Sequence, residues 1–387
     1  MKRILYIALV ASILYACSSK PEAITVAIEN PSDFDRTTEL VEIPLDDIIT
    51  KKLVLSDSSV YVVKDSNGEI IPSQITYDRK IIFQPDVKAK ESKTFTITTG
   101  EPQTFEARTY GRFITERKDD FAWENDRVAF RIYGPSLVAV DGPSNGIDIW
   151  YKRTSNLIID KWYTDDIAGK ASYHNDNGEG LDDYKVGRTL GAGAMAPYVE
   201  NKLWLNENFE SQELLENGPL RTTFKVTYKS LDVNGKSVGE SRIISIDAGS
   251  QLTRIKQAYT IKEPLTVAAG VVKRTSGDSL IANPEKGYFV YAEPKTTNTD
   301  GVYIGVVIPE KVESIVTDEY EYQNPKTNRK ETHMHTLALT TQQPKIPVTY
   351  YTGYGWSQFG YPNVAEFEKY ISNFTEAVRS PLVVKYE

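Results

Sequence analysis

Short runs in which apolar and polar residues alternate recur along almost the whole chain and constrain its fold more than any other feature. Between residues 20 and 102 these runs are separated by turn-forming residues, as in Asp65-Ser-Asn-Gly68. Alternation with a period of two is typical of a β-strand that buries one face, and closely spaced short strands indicate a sandwich. We therefore expect a mainly β protein with a small N-terminal β-sandwich over residues 20–102.

Residues 103–387 hold a second and larger set of strand-like runs, from residues 128–133 to residues 348–351. So many strands in one block indicate a large sandwich or two stacked sheets. We predict that this block is a single large β domain.

One segment near the end of the chain has helical spacing instead. Between Pro362 and Pro381 apolar residues recur three and four positions apart, at Val364, Phe367, Ile371, Phe374 and Val378. This spacing predicts one C-terminal amphipathic helix with Asn363 as its N-cap. A short strand over residues 382–386 is expected to follow it.

Residues 1–19 have the layout of a lipoprotein signal peptide. Lys2 and Arg3 precede an apolar stretch that is too short to span a hydrocarbon core of ~30 Å, and Leu14-Tyr-Ala-Cys17 follows. We expect cleavage before Cys17, lipidation of Cys17 and attachment to a membrane through that lipid. The protein would then be an exported lipoprotein at the periplasmic face or on the cell surface of the outer membrane. Cys17 is the single cysteine, so no internal disulfide is expected.

The composition bears on the kind of ligand. The net charge is −8 and the chain has no basic block, so nucleic acid is not an expected partner. There are 24 Tyr and 5 Trp against 3 His. Aromatic faces stack on sugar rings, but β-sheets use the same residues for packing, so composition leaves both interpretations open.

Two of the three histidines lie close together, in Glu331-Thr-His333-Met-His335. On a strand these three alternate residues would share one face. Two imidazoles and a carboxylate can hold a divalent metal or serve as acid and base, so His333 and His335 are candidate catalytic residues and Glu331, His333 and His335 candidate metal ligands. A solvated strand face is the alternative.

The segment from Trp162 to Ala196 is rich in Asp, Gly and Asn and predicts a long functional loop. It contains three candidate catalytic residues, His174, Tyr184 and Lys185, and a candidate substrate-binding residue, Glu179. The loop could contact a sugar, or bind calcium through the carboxylates of Asp176, Glu179, Asp182 and Asp183. The third interpretation is a surface loop that binds no ligand.

Aromatic and cationic residues flank these candidates. Trp162 begins the loop, and Tyr354 and Trp356, set between glycines, are spaced for display on a turn where they could stack on a sugar. A uronic acid would also need cationic partners for its carboxylate. Candidates of that kind are Arg112, Arg117, Lys152 and Arg153, which could equally be solvated.

Several motifs are similar to those of a known family. They are Asp119-Asp-Phe-Ala-Trp-Glu-Asn-Asp-Arg-Val-Ala-Phe-Arg131-Ile-Tyr-Gly134, Asn145-Gly-Ile-Asp-Ile-Trp150, Tyr173-His174, Asp183-Tyr-Lys-Val-Gly187 and Asn217-Gly-Pro-Leu-Arg-Thr222. The chain resembles domain-of-unknown-function family 4861 over nearly its whole mature length. This resemblance implies a secreted Bacteroidetes protein of a polysaccharide-utilisation system, often one for pectin-like or other uronic-acid glycans. It implies no mechanism.

The larger block is also distantly similar to the galactose-mutarotase-type β-supersandwich, a fold that houses mutarotases, some polysaccharide lyases and domains of glycoside hydrolases. This resemblance implies that Arg131, His333 and His335 lie on a concave sheet face and meet the His174 loop across a cleft. Arg131 is therefore a further candidate for substrate binding.

Two functions follow as hypotheses. The first is an extracytoplasmic enzyme that acts on acidic, uronic-acid or pectin-type oligosaccharides by lyase or mutarotase-like acid–base chemistry, with a divalent metal as a candidate cofactor. The second is a non-catalytic glycan-binding lipoprotein of the same polysaccharide-utilisation system.

Overall fold

The computed structural model describes residues 23–51, 53, 55 and 59–387. The predicted signal peptide and Cys17 lie outside the described residues. Strands dominate the described part of the chain, with four helices between them. No helix in this part is long and apolar enough to cross a membrane.

The first elements form a small two-layer sandwich, as predicted. They are β1 (Ile24–Glu29), β2 (Val41–Pro44), α1 (Leu45–Thr50), β3 (Val60–Lys64), β4 (Ile70–Ile71), β5 (Ser73–Ile75), β6 (Lys80–Phe83) and β7 (Ser92–Gly100). Strands β1, β7, β3 and β4 lie side by side in one sheet, and β2, β6 and β5 make the other. Alternate residues such as Val26, Ile43 and Phe83 fill the core between the two sheets.

The next elements build the sheet that matters most for function. They are β8 (Thr109–Ile114), β9 (Asp120–Asn125), β10 (Ala129–Ile132), α2 (Pro135–Asp141), β11 (Ile147–Lys152), α3 (Ile159–Ile167) and β12 (Gly180–Leu181). The five strands are antiparallel in the order β12-β11-β10-β9-β8. We call them the site sheet.

Two further sheets complete the large block. Their strands are β13 (Ala192–Val199), β14 (Lys202–Leu203), β15 (Ser211–Asn217), β16 (Arg221–Thr227), β17 (Leu231–Val233), β18 (Lys236–Asp247), β19 (Leu252–Thr260), β20 (Leu265–Lys273), β21 (Ser279–Asn283), β22 (Tyr288–Ala292), β23 (Val302–Val307), β24 (Ser314–Gln323), β25 (Lys330–Gln342) and β26 (Val348–Trp356). The order is β14-β13-β20-β25-β24 in one sheet and β15-β16-β18-β19-β26-β23-β22-β21 in the other, where β17 also pairs with β18.

The chain ends with α4 (Val364–Arg379) and β27 (Val383–Tyr386). The side chain of Asn363 accepts a hydrogen bond from the Glu366 N–H at 3.0 Å, so the predicted N-cap is confirmed. Strand β27 returns to the first sandwich and pairs with β1. The prediction of a mainly β protein with a small N-terminal sandwich, a larger block of stacked sheets and a C-terminal helix is confirmed.

The two faces of the site sheet have opposite characters. Its inner face packs through aromatic side chains against the sheet that contains β16. The rings of Phe121 and Phe224 are stacked there, 3.8 Å apart. Its outer face carries charged side chains and is covered by α3. Both faces are therefore covered by other parts of the protein, and every residue of β9, β10 and β11 is buried.

Candidate functional site

The outer face of the site sheet brings a buried arginine next to two carboxylates. Register pairs Arg131 of β10 with Asp148 of β11, which places both side chains on the same face. Arg131 donates from Nε and Nη2 to Asp148 Oδ2 at 2.9 and 2.6 Å, and from Nη2 to Asp182 Oδ2 at 2.8 Å. Its side chain is 2% exposed. A charge this deeply buried requires such partners.

Aromatic residues enclose this arginine. The guanidinium lies 5.0 Å from the ring centre of Tyr133 and 5.2 Å from that of Trp150. Trp150 in turn packs against Trp162 and Tyr163 of α3 and against Tyr173, with ring centres 5.1 to 5.4 Å apart. The cover over the site is therefore a helix and a loop joined to the sheet by stacked rings.

Although Tyr133 lies close to Asp148 and Tyr163 close to Arg131, four buried polar atoms here make no hydrogen bond of 3.5 Å or less among the described residues. They are Arg131 Nη1, Asp148 Oδ1, Trp150 Nε1 and Tyr163 Oη. We call them the open atoms. A buried polar atom without a partner costs about 1–3 kcal/mol, so four of them in one place point to a site that binds polar groups.

Asp148 has an unusual protonation equilibrium. Burial is the main cause that raises its pKa to about 7, with Arg131 opposing the rise and the Asp182 carboxylate adding to it. A carboxyl group that titrates near neutral pH can both donate and accept a proton under physiological conditions.

A second ion pair borders the site. Arg117 pairs with Asp120 and donates from Nε to the Tyr173 hydroxyl at 2.8 Å. Asp120 also accepts the Gly134 N–H at 3.0 Å, and burial raises the pKa of this carboxyl. Gly134 is required here because a Cβ would lie 1.8 Å from the carbonyl oxygen of Asp119. Tyr173 is thus positioned over the site from the side of β9.

Four predicted residues meet around this site. Arg131 lies at its centre, and Trp162 covers it. His174 lies at its edge with a side chain 56% exposed, and its Nδ1 is 3.1 Å from the Asp182 carbonyl oxygen and 3.7 Å from Asp182 Oδ2. Glu179 accepts from Lys161 at 2.6 Å and from Trp162 Nε1 at 3.4 Å.

Three other predicted residues lie elsewhere. Arg112 pairs with Glu116 and with Asp160 of α3, so its charge is already matched. Tyr184 is buried on the inner side of the site sheet, among the core residues. Lys185 extends into solvent with its side chain 78% exposed.

The histidines of β25 do not join the site. His335 is fully buried, its Nε2 accepts the Leu190 N–H at 3.1 Å, and burial lowers its pKa. His333 Nε2 lies 3.2 Å from Glu331 Oε2, and burial lowers the pKa of His333 as well. Within the described ranges, no three His, Cys, Asp or Glu side chains form a group that could hold a metal ion. The metal site predicted at Glu331, His333 and His335 and the calcium site predicted in the loop are therefore not assembled.

The display predicted for Tyr354 and Trp356 is wrong. Both side chains are buried, each with 1% exposure. The Tyr354 hydroxyl donates to the carbonyl oxygen of Trp150, and Trp356 Nε1 donates to the carbonyl oxygen of Thr299 at 2.6 Å. These two residues hold the sheets together and cannot stack on a ligand.

Sequence reasoning missed Asp148 and Tyr163 as site residues and treated Asp182 only as a candidate calcium ligand. A signal was present for Asp148, since it interrupts the apolar run Ile147-Asp-Ile149 just as Arg131 interrupts Phe130-Arg-Ile132. A charged residue inside a buried strand usually has a charged partner on its neighbour. No such signal exists for Tyr163.

The fold and this site define a class of protein: a mainly β protein in which a buried arginine and two carboxylates lie under a short helix. The chain belongs to the family described as Domain of unknown function (DUF4861), whose sequence profile matches residues 28–384. The predicted family is confirmed. The chain is also similar to "Uncharacterized protein P7" of Formosa agariphila, with 28% identity over 410 residues that cover 99% of this chain and 98% of the relative.

Solved structures with a similar arrangement include two from Enterococcus faecalis. One is a protein in the glycosyl hydrolase family 38, with a TM-score of 0.49, 11% identity and coverage of 94% of this chain and 47% of that one. The other is an α-mannosidase, with a TM-score of 0.44, 9% identity and coverage of 94% and 46%. The chain thus spans about half the length of these solved proteins.

Proposed function

We propose that this protein is a carbohydrate-active enzyme that performs acid–base chemistry on an oligosaccharide at the site under α3. The observation that carries the proposal is the set of open atoms around Arg131 and Asp148. Two of them are nitrogen donors, one belongs to a hydroxyl and one to a carboxyl group, so together they offer both donors and acceptors. Sugar hydroxyls need that combination.

The chemistry follows from the charges. Asp148 exchanges a proton near neutral pH, and Arg131 stabilises negative charge that develops beside it. Asp182 keeps Arg131 in place and lies next to His174. Tyr163, whose hydroxyl is one of the open atoms, and His174 at the edge are the candidates for a second proton transfer.

More specifically, we propose that the oligosaccharide is acidic and contains a uronate. Arg131 Nη1 and a protonated Asp148 could both donate to a uronate carboxylate, which would acidify the adjacent C–H bond. Removal of that proton by His174 would form a carbon–carbon double bond as the neighbouring C–O bond breaks. The protonated His174 would then give that proton to the leaving oxygen. This is the elimination expected of a lyase.

The substrate must displace the cover to reach the open atoms. On the outer side of the cover, ion pairs join Arg153 to Asp176 at 2.8 Å and Lys161 to Glu179 at 2.6 Å, so they hold the loop 168–179 against α3 and against the residue that follows β11. Ion pairs this exposed contribute about 0–1 kcal/mol each. We infer that the loop 168–179 opens at that side, while β12 stays paired with β11.

A screen for turnover tests the proposal. The purified protein is incubated with pectic, other uronate and neutral oligosaccharides, and products are detected by liquid chromatography and mass spectrometry. We expect products with the wild type and with Lys185→Ala, the control at an exposed residue, and a loss of about 10²–10⁴-fold with Asp148→Asn. Equal rates in the wild type and Asp148→Asn would contradict the assignment of Asp148.

The second candidate is a glycan-binding protein without catalysis. It is favoured because the Arg131 guanidinium already pairs with both Asp148 and Asp182, so its charge is matched within the site. In that case the same screen would give no products, and calorimetry would show saturable binding that weakens when Tyr163 is changed to Phe.

We also propose that the protein is exported and anchored by a lipid on Cys17. The support is the order of basic residues, apolar stretch and Leu14-Tyr-Ala-Cys17 in the sequence. Fractionation of cells that express the full chain tests this. The wild type and the control Ser18→Ala should be found in the membrane fraction and incorporate labelled palmitate, and Cys17→Ser should do neither. Labelling of Cys17→Ser would refute the lipid site.

A further inference from the structure

A second cluster of buried polar groups lies where three sheets meet. Tyr184 follows β12 of the site sheet, Arg274 follows β20 and Glu293 follows β22. We propose that Tyr184, Arg274 and Glu293 form a second binding site, which takes a pair of neighbouring hydroxyl groups of a sugar unit. This site is separate from the one under α3 and does not depend on the function proposed above.

The contacts of Arg274 define the site. Its Nε donates to Glu293 Oε2 at 2.9 Å and its Nη2 to the carbonyl oxygen of Lys185 at 3.1 Å. The guanidinium lies 5.2 Å from the ring centre of Tyr184. The backbone N–H of Arg274 donates to the Tyr291 hydroxyl at 2.7 Å. These four contacts fix the position of Arg274.

Two polar atoms of this cluster remain unpaired within the part of the chain that the structure describes. They are Tyr184 Oη and Glu293 Oε1. Tyr184 is 4% exposed, and after burial the nearby Glu293 carboxylate is the next cause that raises its pKa. A hydroxyl and a carboxyl oxygen without partners, next to a fixed guanidinium, are a combination that a packed core avoids.

The chemistry of these groups selects the ligand. The charges of Arg274 and Glu293 balance each other, so an anion gains little here. A sugar diol can donate one hydroxyl to Glu293 Oε1 and exchange a second hydrogen bond with the Tyr184 hydroxyl. The side chain of Arg274 is 25% exposed and that of Glu293 11%, whereas Tyr184 Oη and Glu293 Oε1 are themselves buried, so a ligand would enter from the solvent side as the Arg274 side chain moves.

A matched control exists in the same protein. Tyr350 is also fully buried with a hydroxyl that has no partner among the described residues, but it lies in the core near Arg242. Changing Tyr350 to Phe removes an equivalent hydroxyl at a different place. Because Phe keeps the ring in both variants, neither Tyr184→Phe nor Tyr350→Phe is expected to lower the melting temperature.

Binding is measured on the full chain by saturation-transfer NMR with methyl glycosides of galactose, mannose and rhamnose and with galacturonate. We expect saturable binding of at least one neutral glycoside, with Kd raised tenfold or more by Tyr184→Phe and by Glu293→Gln and changed less than twofold by Tyr350→Phe. The inference is overturned if no glycoside binds, or if Tyr184→Phe binds like the wild type. Binding that is lost only in Asp148→Asn would place the ligand under α3 and also overturn it. A failed turnover screen would leave this result unaffected.

Discussion

Lys152 Nζ lies 2.7 Å from Glu124 Oε2, and neither side chain has any exposed surface. The second oxygen of Glu124 accepts the N–H groups of Ile158 and Ile159, at 2.7 and 2.8 Å, where α3 begins. Glu124 therefore caps a helix that is distant from it in sequence. This pair fastens the inner end of the cover to the site sheet.

Breaking this pair should be costly. Lys152→Met leaves a carboxylate without its cation in the interior, and we expect a loss of about 3–5 kcal/mol in the free energy of unfolding measured with urea. The double variant Glu124→Gln/Lys152→Met removes both charges and should regain part of that loss. The control Lys236→Met, from an ion pair in which both side chains are 76% exposed, should change stability by less than ~1 kcal/mol. A Lys152→Met effect as small as the control would show that the pair does not hold the helix.

The pKa of Asp148 gives a pH signature. Its pKa is about 7 in the folded protein, against about 3.9 in an unfolded chain, so the folded state binds more protons between these values. Stability contributed by the protonated carboxyl is fully present below about pH 4 and is lost as pH rises to about 7. Asn resembles the protonated form of Asp148. Between about pH 4 and about pH 7, the free energy of unfolding of Asp148→Asn should therefore rise relative to that of the wild type by about 1.4 kcal/mol per pH unit.

Urea denaturation at several pH values checks this. Asp33→Asn serves as the control because the Asp33 side chain is 88% exposed. It should show the same pH dependence as the wild type. Parallel curves for Asp148→Asn and the wild type would show that Asp148 is ionised throughout.

The N-terminal sandwich and the large block are joined by a charge network. Glu42 of β2 lies 2.6 Å from Arg221 and 3.3 Å from Arg254 of the large block, and 2.6 Å from Lys80 of its own sandwich. Burial opposes ionisation, but these cations outweigh it and hold the pKa of Glu42 well below its usual range. The stability that Glu42 contributes is therefore present at neutral pH and is lost as pH falls below about 4.3.

Glu42→Gln should lower the free energy of unfolding by about 2 kcal/mol at pH 7. The loss should shrink as the pH is lowered towards 3, because the unfolded wild type then binds a proton at Glu42 that the folded state does not bind. Glu263→Gln, from the exposed pair with Lys236, is the control and should have little effect. An equal loss at pH 7 and pH 3 would mean that Gln disturbs the packing and not the charge network.

Sequence periodicity was sufficient for strands and for α4, because both depend on residues close in the chain. It was not sufficient for α3, whose residues 162–167 lie in the segment predicted as a loop. Helix α3 has three Asp among its nine residues and depends on the distant Glu124 for its cap and on Trp150 for its packing. Contacts that are remote in sequence leave no period for a pattern to detect.

The wrong prediction for Tyr354 and Trp356 has a related cause. The spacing of Gly353 and Gly355 on either side of Tyr354 predicts a turn, but both glycines lie within β26, towards its end. A Cβ at Gly353 would be 2.0 Å from the carbonyl oxygen of Gln251, and one at Gly355 would be 2.5 Å from a ring carbon of Phe367. These glycines allow close packing of other elements, which the local sequence does not reveal.

His335 yields the last prediction, because its protonation state is tied to a backbone contact. Its Nε2 accepts the Leu190 N–H, so the ring must be neutral there, and its Nδ1 lies 3.8 Å from Asp318 Oδ2. Burial lowers the pKa of His335 in the folded state, although Asp318 opposes this. The unfolded chain then binds more protons below about pH 6.5, so the wild type loses stability as pH falls below that value.

Two substitutions separate the contact from the charge. His335→Leu leaves the Leu190 N–H without an acceptor and should cost about 1–3 kcal/mol at pH 7.5. His335→Gln can place its amide oxygen near the Nε2 position, keeps the contact and does not titrate. We therefore expect His335→Gln to lower the free energy of unfolding less than His335→Leu does at pH 7.5. At pH 5.5 the stability of His335→Gln relative to the wild type should be higher than at pH 7.5, as measured by urea denaturation. If the wild type and His335→Gln lost stability in parallel between these pH values, His335 would bind as many protons in the folded as in the unfolded state, and the contact with Leu190 would play no part in the acid sensitivity of the protein.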